Sequence, residues 1–260
     1  MVLHPLTPEP APSGDGFRPV WQAISQAQLR RREAYWLITQ PDHAALAGAL
    51  AGNFASKEFP QLEPEVVRAI GLHDSGWAIF AAETGAGASP PLDAAGKPLA
   101  FFEIAPADFL RAWTASIDRA AQVAPVGGIM VSRHFCWLGR YRLETRSDPP
   151  EVAAMLNGFL QREAGRQQRL QVLEARSEAA LERLTSTLQF CDLLSLYLCS
   201  GAQDAVEFPQ KLASRAISLR WRDGACVLDP SPFAAGVSLG VTARRYLGAP
   251  DTTTLGFLLW

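Results

Sequence analysis

Leu188-Gln189-Phe190-Cys191-Asp192-Leu193-Leu194-Ser195-Leu196 lies within a longer run, Leu184 to Cys199, that is apolar almost all round. Such a segment reads as a helix with no solvent face, and so as the centre of the fold. Asp192 shares a helix face with Leu188 and Leu196, four residues away on either side. An ionised carboxylate buried there without a partner costs several kcal/mol. No Lys or Arg occurs between Arg183 and Lys211, so its own helix cannot neutralise it. The partner must come from elsewhere: backbone amides, a metal ion, a histidine, or an arginine of another helix.

Working outward, Glu33 to Thr39 is a short apolar and aromatic run that reads as a strand leading into a helix. Thr39, Pro41 and Asp42 supply the helix start, and the helix is expected from Pro41 to Phe54 with Leu46, Ala47 and Leu50 buried. His43 precedes Leu46 by three residues and Ala47 by four, which turns it to the core side. A second helix starts near Glu63 and carries Val66, Val67 and Ile70 up to Leu72-His73-Asp74-Ser75-Gly76-Trp77, with Gly76 as its stop. Phe109 to Ala121 and Val126 to Gly139 are further helices, and the polar stretch from Pro150 to Arg183 reads as one or two amphipathic ones.

Beyond Arg183 and the central helix the character changes. Ala216 to Trp221 alternates with period two, Arg222-Asp223-Gly224-Ala225 supplies a turn, and Cys226-Val227-Leu228 returns, the pattern of a hairpin. Val237 to Val241 and Thr254 to Leu259 read as further strands. The expected fold class is therefore mainly α: a helical bundle with a small antiparallel β-sheet in a β-rich part at 213–260, to which the strand before Thr39 is a candidate addition. Residues 1–20 are expected as a disordered tail and 21–260 as one domain. Within it, 81–106 is rich in Ala, Gly, Ser and Pro and reads either as a lid over the site or as disorder.

With 260 residues and 48% hydrophobic content, the chain can build one good core. A net charge of −2 provides no broad positive field, so nucleic acid is not an expected partner. The run Arg30-Arg31-Arg32 reads as solvated surface. No apolar stretch suits a membrane span or signal peptide, and the expectation is a soluble cytoplasmic protein without membrane contact. Cys136, Cys191, Cys199 and Cys226 form no C-x-x-C pair and are expected to be reduced and packed.

Three of the four histidines, His43, His73 and His134, fall in apolar helices, and only His4 is in the tail. His43 stands in a first helical turn, where the dipole favours the neutral ring that a metal requires. The side chains of His73 and Asp74 point about 100° apart on a helix, so an ion in the sector between them is reached by both. Imidazole with carboxylate suits Mn, Fe, Co, Ni or Zn better than Ca. Each residue alone also has a bland reading, as a hydrogen-bonded core histidine or a capping acid.

The order His, His-Asp, distant Asp resembles the HD superfamily of metal-dependent phosphohydrolases. Ile38 to His43, Leu72 to Trp77, Val131 to His134 and Leu188 to Leu196 together look like the DUF3891 family. The resemblance implies an HD-like helical core with His43, His73, Asp74 and Asp192 as ligands of one or two divalent transition metal ions. His134 would be the extra ligand and Asp74 the bridging carboxylate if a second ion binds. The implied activity is hydrolysis of a phosphoester or nucleotide-like small molecule, with Asp74 and His134 in the catalytic group. Arg133 would either neutralise a substrate phosphate or form a surface salt bridge. Gln40, Asp42, Ser75 and Gln189 stand one to three residues from ligands and are candidates for orienting them, while Trp77 reads as core or pocket wall. The alternatives are an HD-type di-iron oxygenase, which needs additional histidines, and a non-catalytic metal- or ligand-binding protein. The sequence leaves a homo-oligomer open.

Overall fold

A computed structural model describes residues 2–7, 16–29, 34–80, 103–246 and 251–260, with positions 92, 94 and 99. The arginine run at 30–32, most of the 81–106 segment and tail residues 8–15 lie outside them. In chain order, strand β1 (Val2–Pro5), the two-residue β2 (Arg18–Pro19), helix α1 (Val20–Leu29) and β3 (Tyr35–Ile38) precede the helices of the body. These are α2 (Gln40–Gly52), α3 (Pro64–Leu72), α4 (Pro106–Val123), α5 (Pro125–Thr145), α6 (Pro150–Gln171) and α7 (Glu178–Ser200). Strands β4 (Val206–Leu212), β5 (Arg215–Arg222), β6 (Ala225–Asp229), β7 (Val237–Tyr246) and β8 (Thr252–Leu259) follow.

The helix starts follow the local chemistry. Thr39 caps α2 by accepting from the Asp42 amide, and the Ser177 hydroxyl accepts from the Ala180 amide at the head of α7. Proline stands in the first turn of α2 through α6, where its missing N–H costs nothing. Helix α7 is the pivot: it packs against α2, α3 and α5 on one side and against α1, β1 and β4 on the other. From Leu184 onward, with neighbours on both sides, it has no exposed residue, which is why that part of its sequence shows no amphipathic stripe.

The sheet corrects the expected fold class. Eight strands run in the order β1-β3-β7-β8-β6-β5-β4-β2, with β2 parallel to β4 and β6 parallel to β8. This is a mixed, curled half-barrel holding 22% of the described residues against 55% in helix, and the small antiparallel sheet on a mainly α bundle is thereby overturned. Three causes account for the difference. Val2–Pro5, placed in the expected disordered tail, pairs along β3 with Val2 opposite Ile38 and Pro5 opposite Tyr35, and buries Val2 and Leu3. Strand β4 contains Pro209, and its ladder shifts register between Glu207 and Lys211, the bulge that a proline inside a strand imposes. Strand β7 runs on through Arg244 and Arg245 to pair with β3, well past its apolar half. One continuous apolar core joins the sheet to the helices, from Val2 and Leu259 through Leu194 to Ile117.

Two glycines decide how closely the site-bearing helices approach. A Cβ built on Gly48 of α2 would lie 2.6 Å from the Cα of Gly71 in α3, so the two backbones cross in direct contact. Gly48 is five residues after His43 and Gly71 two before His73, and the crossing thus sets the distance between the two histidines. Gly48→Ala is expected to force the helices apart, costing roughly 1–3 kcal/mol in denaturant unfolding and moving His43 away from His73. An unchanged unfolding midpoint would show that the crossing yields without consequence.

Candidate metal centre

Helices α2, α3, α5 and α7 each bring one element of the site inward. His43 comes from the first turn of α2, His134 from the middle of α5 and Asp192 from the middle of α7. His73 and Asp74 stand at the end of α3, not within it: α3 stops at Leu72, His73 caps it, and Asp74 leaves the helical region at φ −113°, ψ 15°. A 3₁₀ turn, Ser75–Trp77, follows. All five residues are buried.

The imidazoles stand in a row with His73 in the middle, 5.2 Å between ring centroids from His43 and 5.6 Å from His134. His43 Nε2 lies 3.0 Å from Asp74 Oδ2, and His73 Nε2 lies 3.2 Å from Asp192 Oδ1 and 4.0 Å from Asp74 Oδ2. His134 Nε2 is 3.8 Å from Asp192 Oδ2. Donor atoms of His43, His73 and Asp192 fall within 4.8 Å of one another, so this buried trio can hold a metal ion.

The hydrogen bonds on the far side of each ring fix its tautomer. His73 Nδ1 is 2.8 Å from the Ile70 carbonyl, which only accepts, so the Nδ1 proton is committed there and Nε2 is left as a lone pair in the neutral ring. Ser195 donates its single proton to the Asp192 carbonyl at 2.8 Å. Its oxygen, 3.0 Å from His43 Nδ1, must therefore accept from that nitrogen, and His43 Nε2 is likewise left as a lone pair in the neutral ring. Two nitrogen lone pairs thus face two carboxylates, a repulsive arrangement unless a proton or a metal cation lies between them. The donor chemistry fits a cation that takes nitrogen and oxygen together. His134 adds a buried ring whose Nδ1 has no hydrogen-bond partner among the described residues.

Electrostatics follow the same geometry. Burial by itself depresses the His73 pKa, yet the Asp192 hydrogen bond and the charges of Asp192 and Asp74 outweigh it and raise it to about 9. Burial pushes Asp192 up, but the His73 hydrogen bond and the three imidazoles bring it down to about 2. Asp74 is lowered too: its burial is outweighed by the His43 hydrogen bond and the nearby imidazoles. For His134, burial dominates the nearby carboxylates and lowers the pKa to about 4, which keeps this ring neutral.

Around the ligands, Trp77 Nε1 donates to Asp74 Oδ1 at 3.1 Å, leaving Oδ2 to face the histidines. The indole is thus an orienting donor as well as half-buried packing against Phe80. Ser195, which the sequence reading gave no role, orients His43. Asp42 bonds Thr39 at 2.5 Å as part of the α2 cap. Gln40 is buried at the head of α2, Gln189 is half-buried, and the buried Ser75 hydroxyl has no partner among the described residues. Arg133 pairs with Glu178 at 2.9 Å, the salt-bridge alternative of its two sequence readings. All four cysteines are buried free thiols, in keeping with their reading as packed core residues. No helix of the described residues is long and apolar enough to cross a membrane. Ser195→Ala removes the acceptor for the His43 Nδ1 proton and is expected to lower metal affinity by about 10- to 100-fold with the fold intact, as read by metal titration. Unaltered affinity would mean that His43 is oriented by its packing alone.

A buried three-histidine, two-aspartate cluster held among four helices defines a candidate metal-binding protein of mixed α and β architecture. The chain belongs to the DUF3891 family, described as a protein of unknown function, whose profile matches residues 29–246. No curated protein and no solved structure matches it.

Proposed function

We propose that this chain is a metal-dependent hydrolase of the HD type, acting on a phosphoester or nucleotide-like small molecule. The observation that carries the reading is the pair of imidazole lone pairs held against two buried carboxylates by bonds on their far sides. His43, His73, Asp74 and Asp192 would hold one divalent transition metal ion among Mn, Fe, Co, Ni and Zn, with His134 the extra nitrogen donor if a second ion binds. When bound, such an ion lowers the pKa of a coordinated water towards neutrality and polarises the phosphoryl oxygen.

The remaining work belongs to the protein. Ser195 and the Ile70 carbonyl keep both rings in the tautomer that presents Nε2 inward, so no proton needs to be relocated within either ring on loading. Trp77 pins one Asp74 oxygen and leaves the other for the ion or for a proton from the attacking water. The side chains of Asp74 and Asp192, 12% and 10% exposed, form the wet edge of an otherwise dry cluster, and a substrate would approach there. Arg133, held by Glu178, has no part in the scheme.

Elemental analysis of the purified protein, followed by phosphatase, phosphodiesterase and nucleotide screens with the matching metal, tests the reading. Stoichiometric metal and metal-dependent turnover that Asp74→Asn abolishes are expected. A protein that neither carries nor takes up a transition metal overturns the site. One that holds metal yet turns over no phosphoester overturns the reaction.

A further inference from the structure

The face of α4 formed by Ala112, Ser116 and Arg119 clamps the turn that follows Asp74. The Gly76 amide donates to Ser116 Oγ at 2.9 Å, and a methyl on Gly76 would collide with the Ala112 carbonyl. Arg119, one turn further along the same face, donates through Nη1 to the Ser75 carbonyl. Among the described residues that carbonyl is its one partner. Other half-buried or buried arginines of the chain are matched to carboxylates: Arg142 to Asp148, Arg166 to Asp118 and Glu163, Arg176 to Glu63, Glu65 and Glu174. Arg119 is half-buried without one among the described residues. A guanidinium carries five N–H donors in a rigid fork that fits an oxyanion, and here one neutral acceptor engages it. The Ser75 hydroxyl, buried in the same turn with no partner among the described residues, is a second unused donor.

We propose that Arg119 is the oxyanion-binding residue of this site, positioning the phosphoryl group of an anionic substrate beside Asp74. The assignment rests on the hydrolase reading for its phosphate and supplies the basic group that Arg133, tied to Glu178, does not. It makes Arg119 a specificity determinant for phosphorylated over neutral compounds.

The test is calorimetric titration of inorganic phosphate, with acetate as comparator, into metal-free and Mn(II)-loaded protein. Wild type is expected to bind phosphate more tightly than acetate, and Arg119→Gln to weaken phosphate by about tenfold or more, the scale of one or two charged hydrogen bonds. Mn(II) affinity and melting temperature should stay as in wild type. Equal phosphate binding by Arg119→Gln overturns the proposal, as does a preference for acetate. Should Arg119→Gln lose stability as well, Arg119→Lys decides, since it can keep the bond to the Ser75 carbonyl without the fork. Restored stability with phosphate binding weaker than in wild type upholds the assignment, since the ammonium supplies charge without the fork, and wild-type phosphate binding by Arg119→Gln at a temperature where it is folded overturns it. Arg119-dependent phosphate binding without any Mn(II) uptake would sink the metal reading and leave this one standing. Mn(II) uptake without phosphate binding would do the reverse.

Discussion

Replacing Asp192 with asparagine is expected to weaken transition-metal binding by at least about 100-fold, beyond the range seen when residues that merely orient ligands are lost. Asp192 reaches all three imidazoles: Oδ1 lies 3.2 Å from His73 Nε2 and 3.9 Å from His43 Nδ1, and Oδ2 lies 3.8 Å from His134 Nε2. Asparagine keeps the shape and the packing against α2, α3 and α5, and its amide can donate to the lone pair of His73. The metal-free fold should therefore survive while the metal is lost. Metal content and the melting temperature with and without added ion give the answer together. Wild-type affinity in Asp192→Asn would mean that the site is not organised around α7.

The metal-free and metal-loaded proteins should respond to pH in opposite directions. Without metal, His73 takes up a proton with a folded pKa of about 9 against an ordinary value of 6.5. A raised pKa means that the folded state binds the proton more tightly than the unfolded chain. Its contribution is complete below pH 6.5 and is lost as pH rises through about 9, to the extent of roughly 3 kcal/mol. The ion needs the same lone pair, so loading near neutrality displaces that proton, and metal affinity rises over the window in which metal-free stability falls. Denaturant unfolding of metal-stripped protein between pH 6.5 and 9 reads the first limb, and proton release on metal titration reads the second. A flat or rising stability of the stripped protein would contradict the pairing of His73 with Asp192. Asp192 and Asp74 have depressed pKa values, so their contribution is present above the ordinary carboxylate value and is lost on acidification, that of Asp192 as pH falls towards 2.

How much of this was legible depended on how local each signal was. Asp192 announced itself because a carboxylate in an apolar run with no nearby Lys or Arg must find its counter-charge elsewhere, and His73 supplies it. Ser195 sits three residues away in the same run, yet its role depends on His43, 152 residues distant, and nothing in its neighbourhood signals that. Arg133 drew notice by standing next to His134. The arginine that reaches the Asp74 turn is Arg119, 45 positions after Asp74 in a helix that carries no ligand. The strand before Thr39 and the hairpin at β5 and β6 were readable from alternation and turn residues. Strands β1 and β2 are too short to show a period, and a parallel pair such as β6 with β8 leaves no local trace, so the sheet looked smaller and more uniform than it is.

The contact between the backbones of Gly48 and Gly71 has a bearing on how sequence variation in this protein should be interpreted. Neither residue has a functional group, and neither touches an ion or a substrate. Because no side chain fits at Gly48, a saturation screen should find that position as intolerant as His43 or Asp192. A ranking of positions by intolerance alone would then enrol it among the reactive residues, whereas its task is to be absent enough for two histidines to meet.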